Sequence, residues 1–195
     1  MNNKESISAI IDSSIEGIGS IRGQLDTIIG MSDLAIGTLR DGGRIFIVGN
    51  GGSAADAQHT AAELVGQLGL GMKRHPLTAI ALTTDTSIIT ALANDFGFQE
   101  VFSHQLKAQG KSGDLLIAIS TSGKSENILR AARVAREIGI DVIALTGPGQ
   151  SPLSQLAEFT LTVDAPNTPR IQEAHRVVLH ILCELIESAF AGSNA

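Results

Sequence analysis

The chain has no Trp, no Tyr and only six Phe in 195 residues. Nucleic-acid binding draws on aromatic stacking platforms and on clustered cations. Lys+Arg 14 against Asp+Glu 20 leaves a net charge of -6, so a nucleic-acid partner is not expected. The single cysteine, Cys183, excludes an internal disulfide, a cysteine-rich zinc module and a CxxC redox pair. No apolar run approaches the ~18–20 residues that span a bilayer, so no membrane partner is expected. The opening MNNKESISAIID places charges and serines where a signal peptide has its apolar stretch, and a cytoplasmic protein is the expectation.

What remains describes a folded core. Hydrophobic residues make up 43% and charged residues 17%, with mean hydropathy +0.20. A chain of this length is read as one domain by the usual ~100–200 residues per domain. It buries roughly 70% of its unfolded surface without needing a staple. Gly, at 21 residues, is enriched over the average of ~7%, and its placement carries information.

Residues 4–40 repeat apolar side chains at helical spacing, from Ile7, Ile10, Ile11 and Ile15 to Ile28, Ile29, Leu34 and Ala35. Gly17, Gly19 and Gly23 weaken the middle by ~1 kcal/mol each relative to Ala. A long helix or two consecutive ones is expected, its apolar stripe covering a partner subunit. From Arg44 the pattern changes to short apolar runs at 44–49, 77–82, 114–120, 141–146 and 159–163. Continuous apolarity marks strands covered on both faces. Helical stretches fall between them at about 53–68, 86–93, 98–109 and 125–138, and a last one at about 168–190. The expected fold is α/β, a five-stranded parallel sheet sandwiched by helices. Its organisation is a helical segment over 1–40 that packs in an oligomer, an α/β domain over 41–190 and a disordered tail over 191–195.

Ligands in open α/β sheets bind beyond the carboxyl ends of the strands. Two loops there are unusual. The first strand ends in Gly49-Asn50-Gly51-Gly52-Ser53 and the third in Ser120-Thr121-Ser122-Gly123-Lys124-Ser125, each running into a helix. Glycine lets the backbone approach a ligand, and a helix start offers unpaired N–H groups with partial positive charge. Hydroxyls add neutral donors, so a phosphate needs no arginine here. Neither loop is a Walker motif, and the first does not match GxGxxG. Serines at helix starts are also ordinary N-caps, but two such loops at strands 1 and 3 favour phosphate.

On the helix after the first loop, His59 and Glu63 are four residues apart and share a face. That spacing suits one divalent metal, although a surface pair satisfies it equally. Asp56 lies one turn earlier, placed to orient His59 or to sit at the helix start. In the last helix, Gln172, Arg176 and His180 recur every four residues. Gln172 and His180 stand ~12 Å apart along the axis, an awkward separation for one metal: either both side chains lean inward or they serve sites assembled from different subunits. His175 is off this face and reads as peripheral; His75, His104 and Cys183 read as a loop His, a helix-surface His and a small buried residue.

Together with Ala93-Asn94-Asp95-Phe96-Gly97-Phe98 and Arg170-Ile171-Gln172-Glu173, these motifs make residues ~40–188 resemble the sugar isomerase (SIS) domain family, whose fold is flavodoxin-like or Rossmann-like. More closely the chain is similar to the phosphoheptose isomerases. The resemblance implies that Ser53, Ser120, Ser122 and Ser125 hold a phosphate. It places Asn50, Gly51, Gly52, Asn94, Asp95, Thr121 and Gln172 around a sugar. Glu63 and His180 match the family's catalytic pair, with Glu63 also contacting substrate; His59, Glu63, Gln172 and His180 match its zinc ligands. The implied reaction converts sedoheptulose 7-phosphate to D-glycero-D-manno-heptose 7-phosphate in a homotetramer with active sites at subunit contacts. Departures are modest: Ala54 and Ala55 stand where many members have His and Cys, and Lys124 adds a charge beside the second loop.

Aldose–ketose isomerisation moves a proton between C1 and C2 through an enediol, and needs a base at carbon and an acid at oxygen. Glu63 as base and His180 as acid fit these roles. Non-catalytic relatives that bind a replication initiator or sense a sugar phosphate are the alternative. The first kind lacks this acid–base pair, and the second usually carries a DNA-binding domain for which this chain has no room.

Overall fold

The computed structural model describes residues 3–69, 71 and 73–192. Five parallel strands, β1 (Ile45–Val48), β2 (Ala79–Ala81), β3 (Leu115–Ser120), β4 (Asp141–Thr146) and β5 (Phe159–Thr162), form one sheet in the order β2-β1-β3-β4-β5. Ile45 is in register with Ala79 on one side and Leu115 on the other, and Ile143 with Phe159 further along. The chain order reverses between β1 and β3. Loops leaving their carboxyl ends therefore diverge to opposite faces and open a crevice, the switch point of such sheets.

Successive strand residues alternate between faces, and each face has its own core. Ile45, Ile47, Leu115, Ile117 and Ile119 pack on one side against Met31 and Ala35 of α2 (Leu25–Arg40) and Ala57 and Leu64 of α3 (Gly52–Val65). Val178 and Leu182 of α7 (Thr168–Ala189) join that layer. Phe46, Val48, Leu116 and Ala118 face the other way. They meet Leu106 of α5 (Ser103–Gln109) and Ile128, Ala131 and Ala135 of α6 (Glu126–Glu137). The continuous apolar runs in the sequence are thus the signature of this double coverage.

The N-terminal helix is long but interrupted. Helix α1 (Asn3–Gly19) gives way to a 3-10 turn over Ser20–Gln24 before α2 begins. The break has two causes: glycines at 17, 19 and 23, and a docking contact. The Gln24 side chain donates to the Thr162 carbonyl at 2.6 Å and accepts from the Thr162 N–H at 3.0 Å. It so satisfies part of the open edge of β5, which an unpaired strand would otherwise leave exposed. Beyond α7, the Gly192 N–H donates to the Lys73 carbonyl at 3.1 Å, so the tail proposed for 191–195 starts with an anchored turn. Residues 193–195 lie outside those described. No helix among the described residues is long and apolar enough to cross a membrane.

Candidate active site

The loop after β1 turns at Gly51, whose φ of +56° and ψ of −121° suit glycine and not an L side chain. Helix α3 starts at once, and a Cβ on Gly52 would lie 2.8 Å from the Gln172 side-chain oxygen. The loop after β3 turns at Gly123, with φ +60°, and delivers Ser125 to the head of α6. Ser125 stands at the N-cap position, yet its hydroxyl does not cap the helix. It lies 3.2 Å from the Ser120 hydroxyl. No side chain caps α3 either. The ordinary N-cap account of these serines therefore fails at both loops. The Gly147 N–H, at the end of β4, donates to the Thr121 carbonyl at 2.9 Å and braces the second loop from behind.

Ser53, Ser120, Thr121 and Ser125 line one cavity of about 310 Å³ together with Asn50 and Gln172. It sits at the switch point, walled by two helix starts, and is furnished with hydroxyls and backbone amides. That is the chemistry of an anion cradle. Ser122 is turned away from it: its hydroxyl is exposed and accepts from the Lys124 N–H at 3.2 Å. Of the serines expected to hold phosphate, the structure brings three together.

Helices α3 and α7 run side by side in parallel, and three polar contacts set their register. Gln172 Nε2 donates to Ser53 Oγ at 3.4 Å, Arg176 Nε donates to Asp56 at 2.9 Å, and His180 Nε2 meets His59 Nε2 at 2.9 Å. Steps of three on α3 match steps of four on α7, the pattern of ridges packed into grooves at a shallow angle. Glu63 follows one turn later, its Oε1 3.7 Å from His59 Nε2. The structure therefore places His59, Glu63 and His180 at one end of the pair and Gln172 at the other, beside the cradle. Asp56 neither orients His59 nor rests idle at the helix start; it binds Arg176.

The four residues expected to hold zinc are not gathered in one chain. Among the described residues no three His, Cys, Asp or Glu side chains form a set able to hold a metal ion. Two imidazole nitrogens with a carboxylate beside them are zinc-type donors, but Gln172 stands two turns away. In a single chain the donor set is incomplete. Asn94 and Asp95, expected near the sugar, lie exposed at the end of α4 (Thr86–Phe96), where the Asn94 amide donates to Asp95 at 2.8 Å. A single chain does not bring them to the cradle.

Several residues were missed from the sequence. The Asn127 side chain is buried against Asn50. Arg74, also buried, donates to the Glu63 carbonyl at 2.8 Å. His175 is not peripheral: it is fully buried, its Nε2 3.0 Å from the Thr146 carbonyl, and burial lowers its pKa to about 4. Burial likewise raises the Cys183 thiol to about 12, which makes it a poor nucleophile. Only the local spacing of Gln172, Arg176 and His180 was visible; the partners of the buried groups lie far along the chain.

Comparison with known proteins agrees with this geometry. The SIS domain family model matches residues 14–147. The phosphoheptose isomerase of Geotalea uraniireducens is 42% identical over 189 residues, covering 96% of this chain and 99% of the relative. Two solved phosphoheptose isomerases superpose on 96% of this chain and 100% of their own. That of Neisseria gonorrhoeae does so with TM-score 0.89 and 40% identity, and that of Francisella tularensis with TM-score 0.91 and 35% identity. A hydroxyl cradle at the switch point, His59, Glu63 and His180 gathered along two parallel helices and identity across nearly the whole length converge: the chain belongs to the SIS domain family and, within it, to the phosphoheptose isomerases.

Proposed function

We propose that the protein interconverts sedoheptulose 7-phosphate and D-glycero-D-manno-heptose 7-phosphate. The observation that carries this reading is the spacing between two chemistries on α3. Ser53 opens the helix at the cradle, and His59 lies six residues, ~9 Å, further along the axis. An extended seven-carbon sugar with a terminal phosphate spans such a distance, so its tail can rest among hydroxyls while C1 and C2 reach the titratable end.

In this scheme Ser53, Ser120 and Ser125 bind the phosphate, joined by Thr121, which was expected at the sugar but lines the same cavity, with Ser122 and Lys124 at the rim. Asn50, Gly51, Gly52 and Gln172 face the chain of sugar hydroxyls. Glu63 takes a proton from C1 of the ketose and returns it to C2. His180 gives a proton to the C2 oxygen and takes one from the C1 oxygen, so the enediol forms and collapses without net proton loss. Anchoring the remote phosphate turns binding energy into placement of C1 and C2. Zinc is proposed as a cofactor: His59, Glu63, Gln172 and His180 would hold it only once subunit contacts complete the donor set that a single chain leaves incomplete, and its Lewis acidity would polarise the carbonyl.

The assembly proposed is a homotetramer with active sites at subunit contacts. Its support is apolar surface left bare by a single chain: Ile7, Ile10, Ile11 and Ile15 on α1 are each more than half exposed, as are Phe96, which ends α4, and Phe98 just beyond it. Packing against another copy would also carry Asn94 and Asp95 toward a neighbour's cradle. Sugar phosphates are charged metabolites retained inside the cell, so a cytoplasmic location accompanies this reading.

The test is direct. Purified protein is incubated with sedoheptulose 7-phosphate and aldose formation is followed. Turnover is expected; its absence both with and without added zinc would overturn the proposal.

A further inference from the structure

The two ligand loops are joined by one pair of side chains. Asn50, in the loop after β1, and Asn127, in the first turn of α6, form a reciprocal amide pair: each Nδ2 donates to the other's Oδ1 at 2.9 Å. Asn127 is 4% exposed, while Asn50 lines the hydroxyl cavity and also a smaller one, about 140 Å³, that opens toward Thr83 and Phe98.

The orientation of this pair has a definite origin. The Ile128 N–H is only a donor; it is shared between the Ser125 carbonyl and the Asn127 side chain, each at 3.0 Å, so the Asn127 atom facing it is the acceptor Oδ1. That choice sends Asn127 Nδ2 to Asn50 Oδ1 and requires Asn50 to present Nδ2 in return. A flipped Asn50 would set amide against amide and oxygen against oxygen. Each primary amide has two donor hydrogens and two acceptor lone pairs. Asn50 spends one of each on Asn127 and keeps one of each for the cavities, in directions fixed by the head of α6.

We infer that Asn127 is a positioning residue: it sets which way the Asn50 amide offers its remaining donor and acceptor to the sugar. This rests on the proposed role of Asn50 at the sugar. Asn127 makes no claim on the phosphate, which the proposed reading gives to Ser53, Ser120 and Ser125. Its removal therefore separates sugar orientation from phosphate capture. An Asn50 freed to flip would spend part of its time presenting a donor where the sugar offers one, and productive placement would suffer.

The experiment is a double-mutant cycle on kcat/KM for sedoheptulose 7-phosphate, with competitive inhibition by inorganic phosphate as a parallel readout. Asn127→Ala is expected to lower kcat/KM roughly 10-fold, the scale of one net hydrogen bond, and to leave phosphate inhibition nearly unchanged. The double variant Asn50→Ala/Asn127→Ala is expected to be no worse than Asn50→Ala, since nothing remains to position. Multiplying losses, weakened phosphate inhibition or a wild-type-like Asn127→Ala overturns the inference. Wild-type kcat/KM in Asn50→Ala alone removes Asn50 from the sugar site and the inference with it. If Asn127→Ala does not fold, Asn127→Ser replaces it in the same cycle, judged by the same outcomes.

Discussion

The Nε2 atoms of His59 and His180 face each other at 2.9 Å across 121 residues of sequence. Two ring nitrogens at this distance share one proton: one donates and the other accepts, or both turn toward a common cation. In either case His59 is the neighbour that decides how His180 presents itself, and Glu63 lies on the same side of His59. Glu63→Gln and His180→Gln are each expected to reduce turnover by at least ~10²-fold, the ordinary loss for a general acid or base. Circular dichroism and assembly should be unchanged. A variant that turns over at the wild-type rate loses its place in the mechanism.

The cradle makes a different prediction, because its contribution is to binding. A hydrogen bond from a neutral hydroxyl to a charged group contributes ~1.5–3 kcal/mol. Ser125→Ala, which removes the hydroxyl 3.2 Å from Ser120, should therefore raise KM by roughly 10-fold or more. Inhibition by inorganic phosphate should weaken in step. Lys124→Ala, removing an exposed charge at the rim, should weaken phosphate less, and the difference from wild type should shrink as salt is added, because salt already screens that charge. Equal effects of the two substitutions would place the phosphate at the rim and not among the serines.

Much of this was legible from residue types alone. Val48, Ile117 and their neighbours announce strands because apolar side chains fill most positions on both faces of a doubly covered sheet. Gly51 and Gly123 announce turns because their positive φ suits glycine. What the sequence hides is register across distance. That Ser53, Asp56 and His59 step in threes against Gln172, Arg176 and His180 in fours depends on how two helices nest, and neither helix carries that information by itself. Asn127 and Arg74 were invisible for the same reason: a buried polar side chain is understood only through a partner supplied by the fold. Asn94 and Asp95 lie exposed at the end of α4, away from the cradle, and only the proposed assembly would give them a sugar to meet.

The bare apolar face of α1 leads to a prediction about assembly. Ile11 and Ile15 are 52% and 63% exposed in the single chain. Burying each such side chain stabilises by ~1.5–3 kcal/mol, and an aspartate in its place would reverse the sign at every contact. Ile11→Asp/Ile15→Asp should sediment as a smaller species than the wild type, with helix content retained. An unchanged sedimentation coefficient would show that α1 does not form the contact.

His175 links stability to pH. Its Nε2 donates to the Thr146 carbonyl at 3.0 Å, its Nδ1 has no hydrogen-bond partner, and burial lowers the pKa to about 4. The unfolded value is ~6.5, so between these two values the unfolded chain holds more protons on this residue. Stability from keeping the ring neutral is complete above ~6.5 and is lost as pH falls toward the folded value. From about pH 7.5 to about pH 5 the loss amounts to ~2 kcal/mol. Thr146 closes β4, and the next residue, Gly147, braces Thr121 of the phosphate loop, so protonation would disturb the cradle from beneath. His175→Gln can still donate to Thr146 but does not titrate. Its urea midpoint should fall much less than that of the wild type over this interval, and KM should rise less on acidification. Parallel declines in the two proteins would assign the acid sensitivity to other groups.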